Sequence, residues 1–204
     1  MVKEPGEETT RGDRTRRQLI EAALETLRIE GFARATSRAI ARTGGFNQAL
    51  IFYHFGGVEP LLLAALEVTS AERMSRYRRA LGGVQSLEEL ARTARRMYEE
   101  DRASGHMTVV SQMVAGSLAR PELAPEVLAR MEPWLEFAEE TIARVLRGTP
   151  LEGTLPTQEL AYAAVTFYLG VNLLTNLDPD PRRAELVFER LAELAPAAAP
   201  LLES

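Results

Sequence analysis

Few side chains in this sequence could do covalent or metal chemistry. The chain of 204 residues has no cysteine and two histidines, His54 and His106, neither of which belongs to an HxxxH pair. The acidic runs at residues 99–101 and 139–140 have the pattern of solvated helix faces, and neither histidine has the spacing of a catalytic triad. We therefore predict no catalytic residue, no metal site and no cofactor, which leaves a small helical enzyme as a poorly supported alternative.

A different chemistry is available over residues 37–54, where amide, hydroxyl, aromatic and cationic side chains lie close together. Such groups read base edges in the major groove of DNA and contact its phosphates. Gln48 has the amide that can form two hydrogen bonds with adenine. Ala49 and Leu50 are small or apolar and can rest on thymine methyl groups. Four other side chains can contact the phosphate backbone: Ser37, Arg38, Tyr53 and His54.

The charge of the chain is unevenly distributed in the same region. Residues 11–58 contain eight arginines and four acidic residues, a net charge of +4, whereas the whole chain carries −5. A basic segment attached to an acidic remainder favours contact with a polyanion at one end of the molecule. A solvated helix face can produce a similar imbalance.

Helices must position these residues, because alternating strand patterns are nearly absent. Apolar residues at helical spacing predict a first helix over residues 14–30. Thr36 can cap a second, short helix, and Asn47 can cap a third over residues 48–54. The remaining predicted helices begin near residues 58, 86, 106, 123, 157 and 181, and Pro133 is expected to kink or divide the one that starts at 123.

The first three helices and the glycine turn between the second and third make a helix-turn-helix, whose last helix can enter the major groove. Several of its features occur in fixed order and spacing: Ala22-Ala23, Gly31-Phe32, Thr36, Ile40-Ala41, Gly45, and Phe52-Tyr53-His54-Phe55 before Leu61-Leu62. With these features, residues 12–72 resemble the amino-terminal DNA-binding domain of the TetR family of transcriptional regulators.

This resemblance implies an all-α protein in three parts. A flexible arm of mixed charge spans residues 1–11, a three-helix helix-turn-helix domain spans 12–72 with its motif at about 35–54, and a larger helical ligand-binding and dimerisation domain spans 73–198. Arg11, Arg14, Arg16 and Arg17 would act as a DNA-contacting arm. The DNA-binding residues that we predict are Arg14, Arg17, Ser37, Arg38, Asn47, Gln48, Ala49, Leu50, Phe52, Tyr53 and His54.

Three positions depart from the usual pattern of the family. Phe52 replaces a tyrosine, Val58 replaces a lysine, and Ala49 replaces a glycine. Loss of the hydroxyl and the ammonium group removes up to two phosphate contacts per subunit, which weakens nonspecific binding and its dependence on salt. These departures motivate an alternative function, in which a TetR-like protein has lost operator binding and interacts only with other proteins. At single positions core packing also competes with DNA contact, above all at Ile51 and Phe55.

The apolar helix that begins near Glu159 predicts a dimer interface. It is apolar on nearly every face, and a helix of that kind must be covered all round. Together with the apolar stripe of the next helix, it predicts a two-fold four-helix interface in a homodimer, with the monomer core as the alternative. A two-fold dimer requires an inverted-repeat operator. The predicted interface residues are Phe167, Val171, Leu174, Val187, Phe188 and Leu191.

The family resemblance also implies a ligand cavity in the carboxy-terminal domain, where an unidentified small-molecule effector would release a dimeric repressor from DNA. Methionine and aromatic side chains form adaptable apolar walls, and a few polar groups can orient the ligand. The predicted lining residues are Met97, Tyr98, His106, Met107, Gln112, Met113, Trp134, Phe137 and Phe167. Ordinary core packing is the alternative for each of them.

The sequence predicts a cytoplasmic protein with no membrane partner. The first fifteen residues have no apolar segment of the secretory kind. The longest apolar stretch, over residues 160–177, is interrupted by threonine and asparagine and lacks a basic flank.

Overall fold

The protein is built from helices, as its sequence predicts. The computed structural model describes residues 11–154, 156–178, 180 and 182–202, and in this part of the chain it contains nine α-helices, two short 3-10 turns and no strand. The α-helices are α1 (Arg11–Glu30), α2 (Ser37–Gly44), α3 (Ala49–Phe55), α4 (Val58–Leu81), α5 (Leu87–Ser104), α6 (His106–Ala119), α7 (Ala124–Leu146), α8 (Thr157–Thr175) and α9 (Arg182–Leu202). The predicted arm lies outside the described residues except for Arg11, where α1 begins.

Side-chain caps and a left-handed glycine set the limits of α2 and α3. The Thr36 hydroxyl accepts a hydrogen bond from the backbone N–H of Ala39 at 3.2 Å, so Thr36 caps α2. Gly45 ends that helix in the left-handed conformation, with φ of 68°. The N-cap of α3 is Gln48, one residue after the predicted Asn47, whose side chain accepts from the N–H of Ala49 at 2.9 Å.

The turn between α2 and α3 packs closely against α1. A Cβ atom on Gly44 would lie 2.1 Å from the ring of Phe46 and 2.8 Å from the Cβ of Ala22. Glycine is therefore required at position 44 for the turn to reach α1. Ile40 and Ile51 fill the space between the three helices and are fully buried.

Helix α4 connects two buried clusters. Its first half, with Leu61 and Leu66, belongs to a cluster that includes α1–α3 and continues into α6 and α7. Its second half, with Tyr77 and Leu81, packs in another cluster with residues of α5 and α7. The two halves of α4 therefore pack against different parts of the molecule.

Helix α7 continues through Pro133, so the predicted division of this segment does not occur. Proline removes one intrahelical hydrogen bond, and an exposed site allows water to satisfy the carbonyl that is left. Pro133 is exposed, while the opposite side of α7 packs along α8.

No individual helix in the described ranges is long and apolar enough to cross a membrane. One bent pair, Ala49–Phe55 followed by Val58–Leu81, meets the requirement by length and composition only.

Candidate nucleic-acid interface and apolar cavity

Helix α3 has one face toward the core and another toward solvent. Ile51 is fully buried, and Leu50 and Phe55 are partly buried against the same cluster. Phe52 is 53% exposed and Tyr53 is 83% exposed, although both are large aromatic side chains. The structure thus confirms Ile51 as a core residue and shows that Leu50 and Phe55 contribute partly to packing. The rings of Phe52 and Tyr53 remain accessible.

The outward face of α3 continues onto the start of α2. The Ser37 hydroxyl donates a hydrogen bond to Oε1 of Gln48 at 3.4 Å, which links the two helices of the motif. Arg38, Gln48 and Ala49 are exposed. The amide of Gln48 keeps its NH₂ group for a base edge, and Arg38 places a cation next to Ser37 in sequence.

An arginine of α1 holds the end of α3. Nη1 of Arg16 donates to the backbone carbonyl of His54 at 3.2 Å, and its guanidinium carbon lies 4.2 Å from the centre of the Phe55 ring. The His54 ring is half-buried and meets the Tyr53 ring edge to face, with 5.0 Å between their centres. His54 therefore supports Tyr53 and the end of the helix.

The prediction that Arg14, Arg16 and Arg17 form an arm is wrong, because all three lie within α1. An acidic residue in the first turn, Asp13, interacts favourably with the helix dipole, which favours this early start. Arg14 and Arg17 are exposed and project from a helix of fixed position.

The carboxy-terminal helices line an apolar cavity of about 480 Å³. Its walls come from α4–α9 and are formed mainly by aliphatic and aromatic side chains. Six of the predicted residues line this cavity: Met97, His106, Met107, Trp134, Phe137 and Phe167.

Three of the residues that were predicted to line the cavity do not lie in its wall. Tyr98 is fully buried with its ring 5.1 Å from that of Phe188, and its hydroxyl lies 2.9 Å from the hydroxyl of Thr175. Gln112 faces the amino-terminal domain, and Met113 is buried in the cluster that includes α1–α3. Because α6 is buried on more than one side, its apolar spacing did not show which side faces the cavity.

A buried polar cluster lies next to the cavity. Asp101 is fully buried, forms an ion pair with Arg73, and accepts hydrogen bonds from Tyr77 and from Tyr168, the latter at 2.6 Å. Burial raises the pKa of Asp101, while the tyrosine hydroxyls and Arg73 oppose that change. The interpretation of residues 99–101 as a solvated face is thus wrong for Asp101, whose neighbours Glu99 and Glu100 are exposed. The acidic run itself gave no signal of this difference.

His106 is the second buried ionisable group of this region. Its side chain is 4% exposed, and its Nδ1 lies 2.8 Å from the hydroxyl of Thr69. Its ring centre is 6.3 Å from that of Trp134. Burial, with a smaller contribution from Arg73, lowers the pKa of His106 to about 3, so the imidazole is neutral near pH 7.

One side of α6 is attached to the turn that follows α1. The backbone N–H of Phe32 donates to Oε1 of Gln112 at 2.9 Å. A Cβ atom on Gly116 would lie 2.4 Å from the Phe32 ring, so the ring rests directly on the α6 backbone. Arg120 lies 5.7 Å from the centre of the same ring and forms an ion pair with Glu59 at the start of α4.

The last two helices expose an apolar surface, which we call the α8–α9 face. Four predicted interface residues are between 40% and 64% exposed, and Val171 is half-buried: the four are Phe167, Leu174, Val187 and Leu191. Phe188 is only 1% exposed, so its prediction as an interface residue is wrong. Its ring packs inside the monomer against Tyr98 and Phe167.

Among the described residues, no group of three or more histidine, cysteine, aspartate or glutamate side chains could hold a metal ion.

These features define a class of helical proteins in which a helix-turn-helix domain is joined to a larger domain with an internal cavity. Residues 19–65 match the model of a family described as bacterial regulatory proteins, tetR family. This match confirms the resemblance to the TetR family over the residues of the helix-turn-helix domain.

Curated relatives and solved structures agree with this assignment. The chain is 45% identical over 51 residues to the HTH-type transcriptional regulator BetI 1 of Chromohalobacter salexigens, a match that covers 25% of each chain. The other curated regulators that it matches are covered over 58% of their length. The chain thus spans less than two thirds of these relatives.

Two solved structures show the same fold over most of the chain. A TetR-family transcriptional regulator from Rhodococcus sp. has a TM-score of 0.74 at 15% identity, covering 89% of this chain and 98% of the other. The multidrug binding protein EbrR, solved in complex with imidazole, has a TM-score of 0.60 at 26% identity, covering 86% and 93%. The curated relatives are transcriptional regulators and not enzymes, in agreement with the prediction for this chain.

Proposed function

We propose that this protein is a dimeric transcriptional repressor that binds an inverted-repeat operator and is released from it by a small-molecule effector. The observation that supports this function best is that one molecule combines an exposed recognition face with an apolar cavity. Helix α6 connects the two: one side of it holds the turn at Phe32, next to the recognition domain, and another side lines the cavity.

The DNA-binding half of the proposal is supported by the exposed face of α3. An amide at Gln48, a methyl group at Ala49 and two accessible aromatic rings suit base edges and the sugar-phosphate backbone. Arg14, Arg17 and Arg38 supply exposed cations around that face. Tyr53 is the best candidate for replacing the phosphate contact that Phe52 lacks.

The dimer is supported by the α8–α9 face. Large apolar side chains gathered on one surface are typical of an interface with another chain. A two-fold dimer built on this face would present two α3 helices to the two half-sites of an inverted repeat.

Effector release is supported by the position of α6. Met107 and Val110 line the cavity, while Gln112 and Gly116 of the same helix hold the turn after α1. A ligand that favours a shifted α6 would move the amino-terminal domain and change the spacing of the two recognition helices. The cavity volume lies in the range of pockets that bind drug-sized molecules, and the relative EbrR is a multidrug binding protein. As a DNA-binding regulator, the protein would act in the cytoplasm.

The test is selection of bound sequences from a random pool of double-stranded DNA, followed by binding to the enriched site over a series of salt concentrations. We expect an inverted repeat, with an affinity that falls linearly on logarithmic axes as salt increases. The double variant Arg38→Ala/Tyr53→Ala should bind more weakly and with a shallower salt slope. Arg92→Ala, which removes an exposed arginine of α5, is the matched control and should bind like the wild type.

Failure of a folded dimer to enrich any sequence at low salt would contradict the proposal. That result would favour the alternative motivated by Phe52 and Val58, in which operator binding has been lost and the protein interacts with other proteins.

A further inference from the structure

The side chains around the cavity indicate the chemical class of the effector, an inference that rests on the proposed function. Most lining side chains are apolar. Among the described residues, the polar exceptions are Tyr77, His106, Trp134, Thr141 and Tyr168. What each of these groups already binds determines what it can offer to a ligand.

Three of the polar groups are engaged within the protein. The hydroxyls of Tyr77 and Tyr168 both donate to Asp101. The Thr141 hydroxyl accepts from Arg144 at 3.4 Å, and the same arginine nitrogen donates to the backbone carbonyl of Leu81 at 3.1 Å. Each of these hydroxyls thus has a partner within the protein, and for the two tyrosines donation to a ligand would require breaking an existing hydrogen bond.

The charges near the cavity are also matched. Asp101 is paired with Arg73, and neither residue lines the cavity wall. A charged ligand would lose part of its hydration on entering and meet no charged side chain among the described lining residues, which is costly in an apolar environment. The cavity thus favours an uncharged molecule.

His106 differs from the other polar lining groups. It is almost completely buried, and Thr69 occupies its Nδ1. Nε2 lies on the other side of the ring and has no hydrogen-bond partner in the part of the chain that the structure describes. Trp134, which is half-buried, adds one N–H donor.

Because His106 is neutral, its Nε2 donates or accepts a single hydrogen bond, depending on which nitrogen holds the proton. A hydroxyl group can pair with the imidazole in either case, since it is both donor and acceptor. We infer that the effector is an uncharged, largely apolar alcohol or phenol whose hydroxyl group binds Nε2 of His106.

A matched series of probes tests this inference on the full-length protein without DNA. The probes share an octyl chain and differ in the head group: n-octanol, octanoate, n-octylammonium and n-octyl chloride. Trp134 is the only tryptophan in the chain and lines the cavity, so its fluorescence reports binding directly. We expect n-octanol to bind more tightly than either charged probe and more tightly than the chloride.

Two substitutions separate the hydrogen bond from the shape of the site. His106→Phe keeps a ring but removes the hydrogen bond, and we expect it to reduce the preference for n-octanol over n-octyl chloride by roughly fivefold. His106→Gln keeps a polar group and should retain part of that preference. Ala94→Phe, which fills the cavity from α5, should weaken binding of all four probes.

Equal or tighter binding of octanoate or n-octylammonium by the wild-type protein would overturn the inference, as would the failure of n-octanol to bind. An unchanged preference in a folded His106→Phe variant would also overturn it. Because the titration contains no DNA, its outcome is independent of the selection experiment that tests operator binding.

Discussion

Single residues of this protein acquire their chemistry from burial more than from their type. Asp101 follows two exposed glutamates and is itself completely buried beside Arg73. His54 and His106 are the two histidines of the chain, yet one supports the exposed end of α3 and the other is buried in the wall of the apolar cavity. The same side-chain type thus has two different environments and two different roles.

The pH dependence of stability tests the environment of His106. Its pKa is about 3 in the folded protein, against 6.5 for an ordinary histidine. Between these values the unfolded chain binds more protons, so the free energy of unfolding falls as the pH is lowered from about 6.5, by up to about 1.4 kcal/mol per pH unit. The raised pKa of Asp101 acts in the opposite direction and is common to wild type and variant. Urea unfolding between about pH 4.5 and 7 should therefore show a flatter curve for His106→Phe than for the wild type, and parallel curves would contradict the assignment.

Gly116 provides a second test at the scale of one residue. A methyl group at this position would overlap the Phe32 ring, so Gly116→Ala should destabilise the protein by roughly 1–3 kcal/mol. Gly83→Ala is the matched control, because a Cβ atom at Gly83 meets no other atom within 4 Å. If the clash is the cause, adding Phe32→Ala to Gly116→Ala should cost less than the sum of the two single changes measured by urea unfolding.

At the scale of elements, the helix boundaries depend on local signals that can be recognised in a sequence. The Thr36 side chain and Gly45 limit α2, and Ser86 caps α5 by accepting from the N–H of Glu89 at 3.1 Å. The boundaries of these helices are set by residues that are close to them in sequence. The orientation of each helix depends instead on its neighbours.

The cap of α2 can be tested directly. Thr36→Ala should lower the free energy of unfolding by about 1 kcal/mol, because the N–H of Ala39 loses its acceptor. Thr36→Ser keeps the acceptor and should stay close to the wild type. Equal losses in the two variants, measured by urea unfolding, would show that the methyl group of Thr36 and not its hydroxyl matters.

The sequence predicted the nine described helices, the motif and six of the lining residues, because caps and apolar periodicity are local properties. It did not predict the faces of the inner helices. Phe188 and Met113 lie on helices with more than one covered side, and spacing alone cannot assign a side chain to one of two apolar surfaces. Gln112 was assigned to the cavity wall for a related reason, since its actual partner is a backbone N–H eighty residues away.

At the scale of the whole molecule, the α8–α9 face is the surface on which assembly is expected to depend. Leu174 is 64% exposed on α8 and Val187 is 40% exposed on α9. Such exposure of large apolar side chains is explained if a second chain covers them.

Charge placed on that face should prevent dimer formation. The variant Leu174→Glu/Val187→Glu should sediment as a monomer, whereas the wild type should sediment at twice the chain mass, because burying two carboxylates in an apolar interface is costly. Leu128→Glu, at an exposed leucine of α7, is the matched control and should leave the wild-type mass unchanged. A double variant that remains dimeric would place the interface elsewhere.

The separation of the two faces of α3 also bears on how operator preference can diverge during evolution. Ile51 fixes the helix in the core, whereas Ala49 and Tyr53 of the helix, and Gln48 just before it, are exposed. Substitutions at these exposed positions cost little folding free energy, so duplicated copies of the gene can acquire new operators without first acquiring a new scaffold. Constraint on the inward face and freedom on the outward face are thus properties of a single seven-residue helix.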